Sequence, residues 1–322
     1  MSEREKQIAQ FLAAEGLAAW QRVRLAGDAS GRRYERLGHD GRSVILMDSD
    51  PGTGQETAPF ARIAGILADE GLSPPDILAH EPEAGLMIIS DLGPHDFAKW
   101  LANRPDDGEM LYKAAVDVLV RLKNIVPPPD LPILTPDVGG AMLEPLFPHY
   151  TDAPIDDLSN AVTTAMSALL PPADTLALRD YHAENLIWRP DLTGTDRVGL
   201  LDFQDAFVAP APYDLASLIR DVRRDVSVEL VEKMMQHYAR ALDAGDDLKA
   251  QVACIGAQRN LRILGIFARL ARTLNKPRYI DLIPRVWRNL QLDLNHPALA
   301  DVKRAAAILP PPEPAFLTTL RT

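Results

Sequence analysis

Only one cysteine, Cys254, occurs among 322 residues. No intrachain disulfide can form, and the chain fits a reducing compartment. With no second cysteine or histidine at zinc-ligand spacing, Cys254 reads as a small helix-packing residue and a zinc site is not expected. A basic surplus is also missing: 34 Lys and Arg stand against 45 Asp and Glu, a formal charge of -11. That balance speaks against nucleic acid or an anionic membrane as partner. No apolar run approaches the length of a membrane span. The opening Met1-Ser2-Glu3-Arg4-Glu5-Lys6 lacks the basic-then-apolar order of a signal peptide. A cytoplasmic protein is expected, with no obligate protein partner evident. The chain has no internal repeat.

The rest is ordinary for a globular protein, with 47% apolar and 25% charged residues. Ser2 and Glu5 make a capping-box pattern ahead of Ile8, Phe11 and Leu12, which predicts a leading helix. Residues 21–48 alternate as strands, with Asp40-Gly41 as a hairpin signal. The loop Gly27 to Gly31 lies where backbone N–H groups would cover a phosphate, or is a plain surface turn. A helix is expected from Thr57 to Glu70, then strands over Ile77 to Ala79 and Leu86 to Ile89, then a polar joint, Ser90 to Pro94. Beyond it the chain turns helical: 109–125, 140–149, 156–170, 213–224, 228–243, 248–272, 278–292 and 297–308. Residues 127–138 read as a Pro-rich surface loop, and Pro310 to Pro314 as an extended tail.

The most informative stretch is Arg179-Asp180-Tyr181-His182-Ala183-Glu184-Asn185-Leu186-Ile187-Trp188. A tight polar loop runs into an apolar strand. A turn-rich segment, Pro190 to Gly194, leads to a second strand, Val198 to Leu201, that delivers Asp202. The hairpin brings Asn185 and Asp202 to one end, beside the loop with Asp180. An amide oxygen and a carboxylate suit Mg²⁺, which takes few protein ligands and leaves room for water and phosphates. Arg-Asp, four residues, then Asn is the catalytic-loop spacing of protein-kinase-like phosphotransferases. In that chemistry Asp180 takes the acceptor hydroxyl's proton, while Asn185 and Asp202 hold the metal. Asp205 either contacts the acceptor or caps its own loop. Asp214 reads as a helix-start carboxylate that braces the loop. His182 reads as ordering the loop.

These residues resemble the aminoglycoside phosphotransferase and choline kinase-like superfamily, through Asp180-x-His182-x-x-Asn185, Leu201-Asp202-Phe203 and Tyr213-Asp214-Leu215-Ala216. Gly27-Asp28-Ala29-Ser30, Arg32-Arg33-Tyr34, Val44 to Asp48, Asp91-Leu92-Gly93 and Arg259 to Leu270 are more narrowly similar to bacterial cell-wall amino-sugar kinases. Those enzymes phosphorylate the anomeric hydroxyl of N-acetylmuramate and N-acetylglucosamine. The resemblance implies an α+β, protein-kinase-like fold with a small antiparallel sheet lobe over residues 1–92 and a larger helical lobe over 93–322. It implies ATP and Mg²⁺, with a small-molecule acceptor as the other partner. The nucleotide would touch Ser30, Gly31, Arg32, Arg33, Met47, Asp91 and Leu92, and the acceptor would lie near Asp205 and Arg259.

One residue departs from that pattern. The third strand of such kinases carries a phosphate-binding lysine, and here Met47 stands in its place. Either Arg32 or Arg33 supplies the charge, or both are solvated strand residues; a guanidinium grips phosphate bidentately. Other acceptors (an aminoglycoside, an amino alcohol, homoserine) and a catalytically weak nucleotide-binding protein are the competing readings.

Overall fold

The structure, a computed structural model, describes residues 2–25, 31–53 and 56–321. Residues 26–30 lie outside this set, so the phosphate-loop expectation, Ser30 included, falls outside the described residues. The chain divides into two compact units, Met1–Trp100 with Glu184–Asp205, and Leu101–Ala183 with Ala206–Thr322.

The first unit opens with α1 (Glu3–Ala14), where the Ser2 hydroxyl accepts from Glu5 N at 3.2 Å as the capping pattern requires. Strands β1 (Gln21–Arg24), β2 (Arg33–His39) and β3 (Arg42–Asp48) follow, then α2 (Ala58–Asp69), β4 (Ile77–Glu81) and β5 (Leu86–Ser90). They form one antiparallel sheet in the order β1-β2-β3-β5-β4. Asp40 and Gly41 both adopt positive φ, 47° and 75°, so the hairpin between β2 and β3 turns in two residues. That turn fixes the register from His39↔Arg42 back to Arg33↔Asp48.

Register sorts the sheet's two faces, because opposed residues share a face and neighbours alternate. Leu37, Leu46, Leu86 and Ile88 bury against Ile8, Phe11 and Leu12 of α1. Tyr34, Ile45, Met47, Met87 and Ile89 belong to the other face.

Helix α3 (Phe97–Asn103) carries the chain into the second unit. There α4 (Gly108–Leu122), α5 (Pro136–Ala141), a one-turn α6 (Leu146–His149), α7 (Asp156–Leu169) and β6 (Thr175–Ala177) follow. The chain returns to the first unit for the hairpin of β7 (Leu186–Trp188) and β8 (Val198–Leu200). The second unit resumes with β9 (Phe207–Ala209), paired to β6, then α8 (Tyr213–Ile219), α9 (Val228–Leu242), α10 (Leu248–Leu274), α11 (Ile283–Leu294), α12 (Ala300–Ala305) and α13 (Pro314–Thr319). The 27-residue α10 is the spine of this unit, with Ile255, Leu261, Leu264 and Ala268 fully buried.

Several expectations change: the helix expected over 213–224 stops at Ile219, and that over 278–292 opens as a 3-10 turn, Pro277–Leu282, ahead of α11. The helix expected over 140–149 is instead α5, which begins four residues earlier, and a break at Phe147 and Pro148, whose backbone angles are not helical. Thr135 caps α5 by accepting from Val138 N at 3.3 Å, with Pro136 at the first helical position. Gly139 and Gly140 let it press on α7, where a Cβ would collide with Met166 and Thr163. The segment read as loop thus ends in a helix start. The tail is extended only to Glu313, after which α13 forms.

Candidate active site

In the first unit, the β7–β8 hairpin closes at its base with Leu201 N donating to Asn185 O at 3.0 Å. That bond sets Asn185 beside Asp202, whose Oδ2 accepts from Asn185 Nδ2 at 3.4 Å. Asp202 is exposed and sits at φ 58°, a left-handed conformation that aspartate tolerates better than most residues. Phe203, fully buried, stacks on Phe60 of α2 with ring centres 4.8 Å apart, anchoring the chain just past the carboxylate. Gln204 Nε2 donates to Asp202 Oδ1 at 2.8 Å. Gln204 was not among the residues expected at the site; its position two past Asp202 was the available signal.

Among the described residues no group of three or more His, Cys, Asp or Glu could hold a metal. The donors offered are therefore one carboxylate and one amide oxygen, the set that suits Mg²⁺ carrying water and phosphate as its other ligands. Asn185 would turn its amide to present oxygen, an orientation that hydrogen bonding rather than atomic position distinguishes.

The sheet face away from α1 carries the other first-unit candidates. Met47 is fully buried and lies opposite Tyr34 in the register. Burial pushes the Tyr34 phenol up to about 12; Arg32 nearby pulls it down and the charge of Asp202 pushes it up. Arg32 itself is 9% exposed and donates through Nη2 to Glu56 O at 3.2 Å. Gly31 is exposed. Arg33 is on the α1 face, paired with Asp48 at 2.7 Å, and Arg4 of α1 holds the other oxygen of Asp48 at 2.7 Å. The Asp91 carboxylate is fully engaged. It accepts from Arg36 at 2.6 and 3.1 Å, from the Ser43 hydroxyl at 2.8 Å and from Gly93 N at 3.1 Å. Burial works to raise its pKa, but those bonds win and hold it below the usual carboxylate range. Asp91 thus ties the joint to the sheet. Leu92 is half-buried and Asp205 is exposed.

In the second unit, Asp180 is half-buried and follows a strained residue. Arg179 has φ 74°, and Asp180 N donates back to Leu178 O at 2.9 Å, two residues away. That is the rarer γ-turn, costing about 1–3 kcal/mol for a residue with a side chain. Its neighbours hold it. Asp214, buried at the start of α8, accepts from Leu178 N at 2.6 Å and Arg179 N at 3.0 Å. Arg259 of α10 donates to Arg179 O at 2.9 Å and to the Ser217 hydroxyl at 2.6 Å, and its guanidinium lies 4.6 Å over the Tyr213 ring. Burial raises the Asp214 carboxyl to about 6, against the pull of the Leu178 N–H and Arg259. Beyond Asp180, the Tyr181 hydroxyl donates to Ala115 O at 2.9 Å and Ala183 N donates to Asp221 at 3.3 Å. His182 meets Arg223 at 3.0 Å, the loop-ordering place expected of it. Arg262, one turn along α10, is held below its ordinary pKa by burial and by Arg179 and Arg259, while Tyr213 and Asp180 work the other way.

The phosphotransferase enzyme family matches residues 21–248. An N-acetylmuramate/N-acetylglucosamine kinase of Caulobacter vibrioides is 37% identical, over 94% of this chain and 95% of that protein. One of Pseudomonas aeruginosa is 31% identical, over 88% and 87%. Among solved structures, a choline/ethanolamine kinase family protein from Mesorhizobium loti superposes with a TM-score of 0.66 at 18% identity, covering 94% of this chain and 98% of that one. A choline kinase from Streptococcus pneumoniae gives 0.61 at 13% identity, covering 99% and 100%. Those two share the fold, the α+β protein-kinase-like architecture of a small antiparallel sheet and many helices that the sequence led us to expect. The chain belongs to the phosphotransferase enzyme family and is a small-molecule kinase.

Proposed function

We propose that the protein transfers the γ-phosphoryl group of ATP, with Mg²⁺, to the anomeric hydroxyl of an N-acetylated amino sugar. The products are ADP, the sugar 1-phosphate and a proton. The observation that carries the chemistry is the Asn185–Asp202 pair at the hairpin base, 3.4 Å apart. Support for the acceptor is the 37% identity to the Caulobacter vibrioides kinase over 94% of the chain.

Asp180 accepts the acceptor hydroxyl's proton as the oxygen attacks phosphorus. Asn185 and Asp202 hold the metal, which when bound neutralises phosphate charge and orients the leaving ADP. Both demands fall on one stretch of chain, Arg179 to Asn185, with Asp202 joined to it through the hairpin. Adenine lies on the sheet face of Met47 and Ile89, with Leu92 and the backbone of the joint at its edge. Residues 1–92 act as the nucleotide lobe and 93–322 as the catalytic and acceptor lobe, with Asp205 near the acceptor. No described helix is long and apolar enough to cross a membrane, and we place the enzyme in the cytoplasm, where ATP is supplied.

Met47 in place of the strand lysine favours one second reading, a nucleotide-binding protein with little turnover. ADP release from Mg·ATP, measured across N-acetylmuramate, N-acetylglucosamine, an aminoglycoside, an amino alcohol and homoserine, separates the two. Turnover confined to the amino sugars supports the proposal. Nucleotide binding without ADP release for any acceptor overturns it.

A further inference from the structure

Arg32 has an unfinished hydrogen-bond inventory. It is nine-tenths buried, and its Nε has no partner among the described residues. Its contacts among the described residues are the Glu56 carbonyl and the Tyr34 hydroxyl, both neutral. Among the described residues no ion pair neutralises it, and both a buried unpaired charge and an unsatisfied buried N–H are costly. A phosphate would supply both the missing charge and the missing acceptor.

Register says where that anion arrives. Tyr34 is opposite Met47, on the face away from α1, and the charge of Asp202 reaches the Tyr34 hydroxyl. Arg32, which immediately precedes β2, lies on the same side through its contact with the Tyr34 hydroxyl. Arg33 falls on the opposite face, where Asp48 neutralises it. Of the two arginines the sequence offered, Arg33 is paired with a carboxylate and Arg32 has none among the described residues.

We infer that Arg32, steadied by the Tyr34 hydroxyl and the Glu56 carbonyl, grips the phosphate chain of the bound nucleotide beside Asp202. Its planar fork serves in place of the lysine that Met47 displaces. The assignment rests on the nucleotide-kinase reading and adds a residue to it.

Equilibrium binding without metal separates this from a packing role. Calorimetric titrations of ADP and adenosine into wild type, Arg32→Met, Arg32→Lys and Arg33→Met, each checked for an intact melting transition, form the experiment. Arg32→Met should weaken ADP roughly tenfold to a hundredfold and leave adenosine within about twofold, since only the phosphates lose a charged partner. Arg32→Lys should fall between, keeping the charge without the fork, and covers the case in which the methionine variant does not fold. Arg33→Met should bind both ligands as wild type does. Equal affinity for ADP in wild type and the Arg32 variants, or a selective ADP loss in Arg33→Met, overturns the assignment. Wild-type protein that binds neither ligand overturns the placement of the nucleotide on this sheet face along with it.

Discussion

Replacing Arg259 with methionine separates two roles for one residue. The sequence offered it as an acceptor contact, whereas its guanidinium is occupied by Arg179 O at 2.9 Å and the Ser217 hydroxyl at 2.6 Å. Methionine keeps much of the stem's bulk over Tyr213 and removes both bonds. Among the described residues Arg179 O would retain the Ser217 hydroxyl, at 3.4 Å. A hydrogen bond from a charged donor is worth about 1.5–3 kcal/mol, and Arg259 is half-buried, so the lower end applies. The γ-turn at Arg179 stores about 1–3 kcal/mol of strain. The two are comparable, so losing the clamp lets the turn relax and carries Asp180 with it. A displacement near 1 Å at a catalytic group costs on the order of a hundredfold in rate. Steady-state kinetics of Arg259→Met should therefore show kcat down by roughly that factor with acceptor KM changed less than about threefold. Arg259→Lys should recover only part of the rate, because an ammonium does not reproduce the fork that spans carbonyl and hydroxyl. An unchanged kcat with a raised acceptor KM would refute this reasoning and return Arg259 to the acceptor site.

The remaining predictions concern a buried acid and the metal. Burial raises Asp293 to about 7, and Arg220, bonded to it at 2.7 Å, offsets only part of that. Its folded pKa lies above its unfolded value, so its stabilising contribution is complete below about pH 4 and is lost as pH rises through about 7. Melting temperatures at about pH 5 and pH 8 should therefore fall more in wild type than in Asp293→Asn; parallel curves would contradict this. Asp202→Asn should abolish the part of ATP affinity that depends on added Mg²⁺ while leaving metal-free ADP binding intact, measured by the same titrations.

Short-range chemistry was legible in the sequence, and long-range partnership was not. The pairing of Asn185 with Asp202 followed from two apolar strands around a turn, all within one local segment. Even the separation of Arg32 from Arg33 was within reach, since the Asp40-Gly41 turn fixes the register back to Arg33↔Asp48. The apolar spacing of 140–149 outweighed the Thr135-Pro136 capping signal and the break at Pro148, which is why α5 was misplaced. β6 and β9 are three residues each, too short for periodicity to register, and they pair across 32 positions or so of chain that only tertiary structure brings together. The acceptor of Arg259's hydrogen bonds was equally hidden: a helix pattern reveals the side on which an arginine lies but not the carbonyl it will meet. Asp91 shows the same limit, with four donors that sequence position did not announce.

The most direct test of the account is the turnover of Asp180→Ala beside wild type, with ATP binding and melting temperature measured on the same preparations. Nucleotide affinity and fold should be unchanged while kcat falls by about 10²–10⁴, the usual worth of a general base. A variant that folds, binds ATP and still turns over near the wild-type rate would contradict the assignment of Asp180 and, with it, the catalytic reading of the loop.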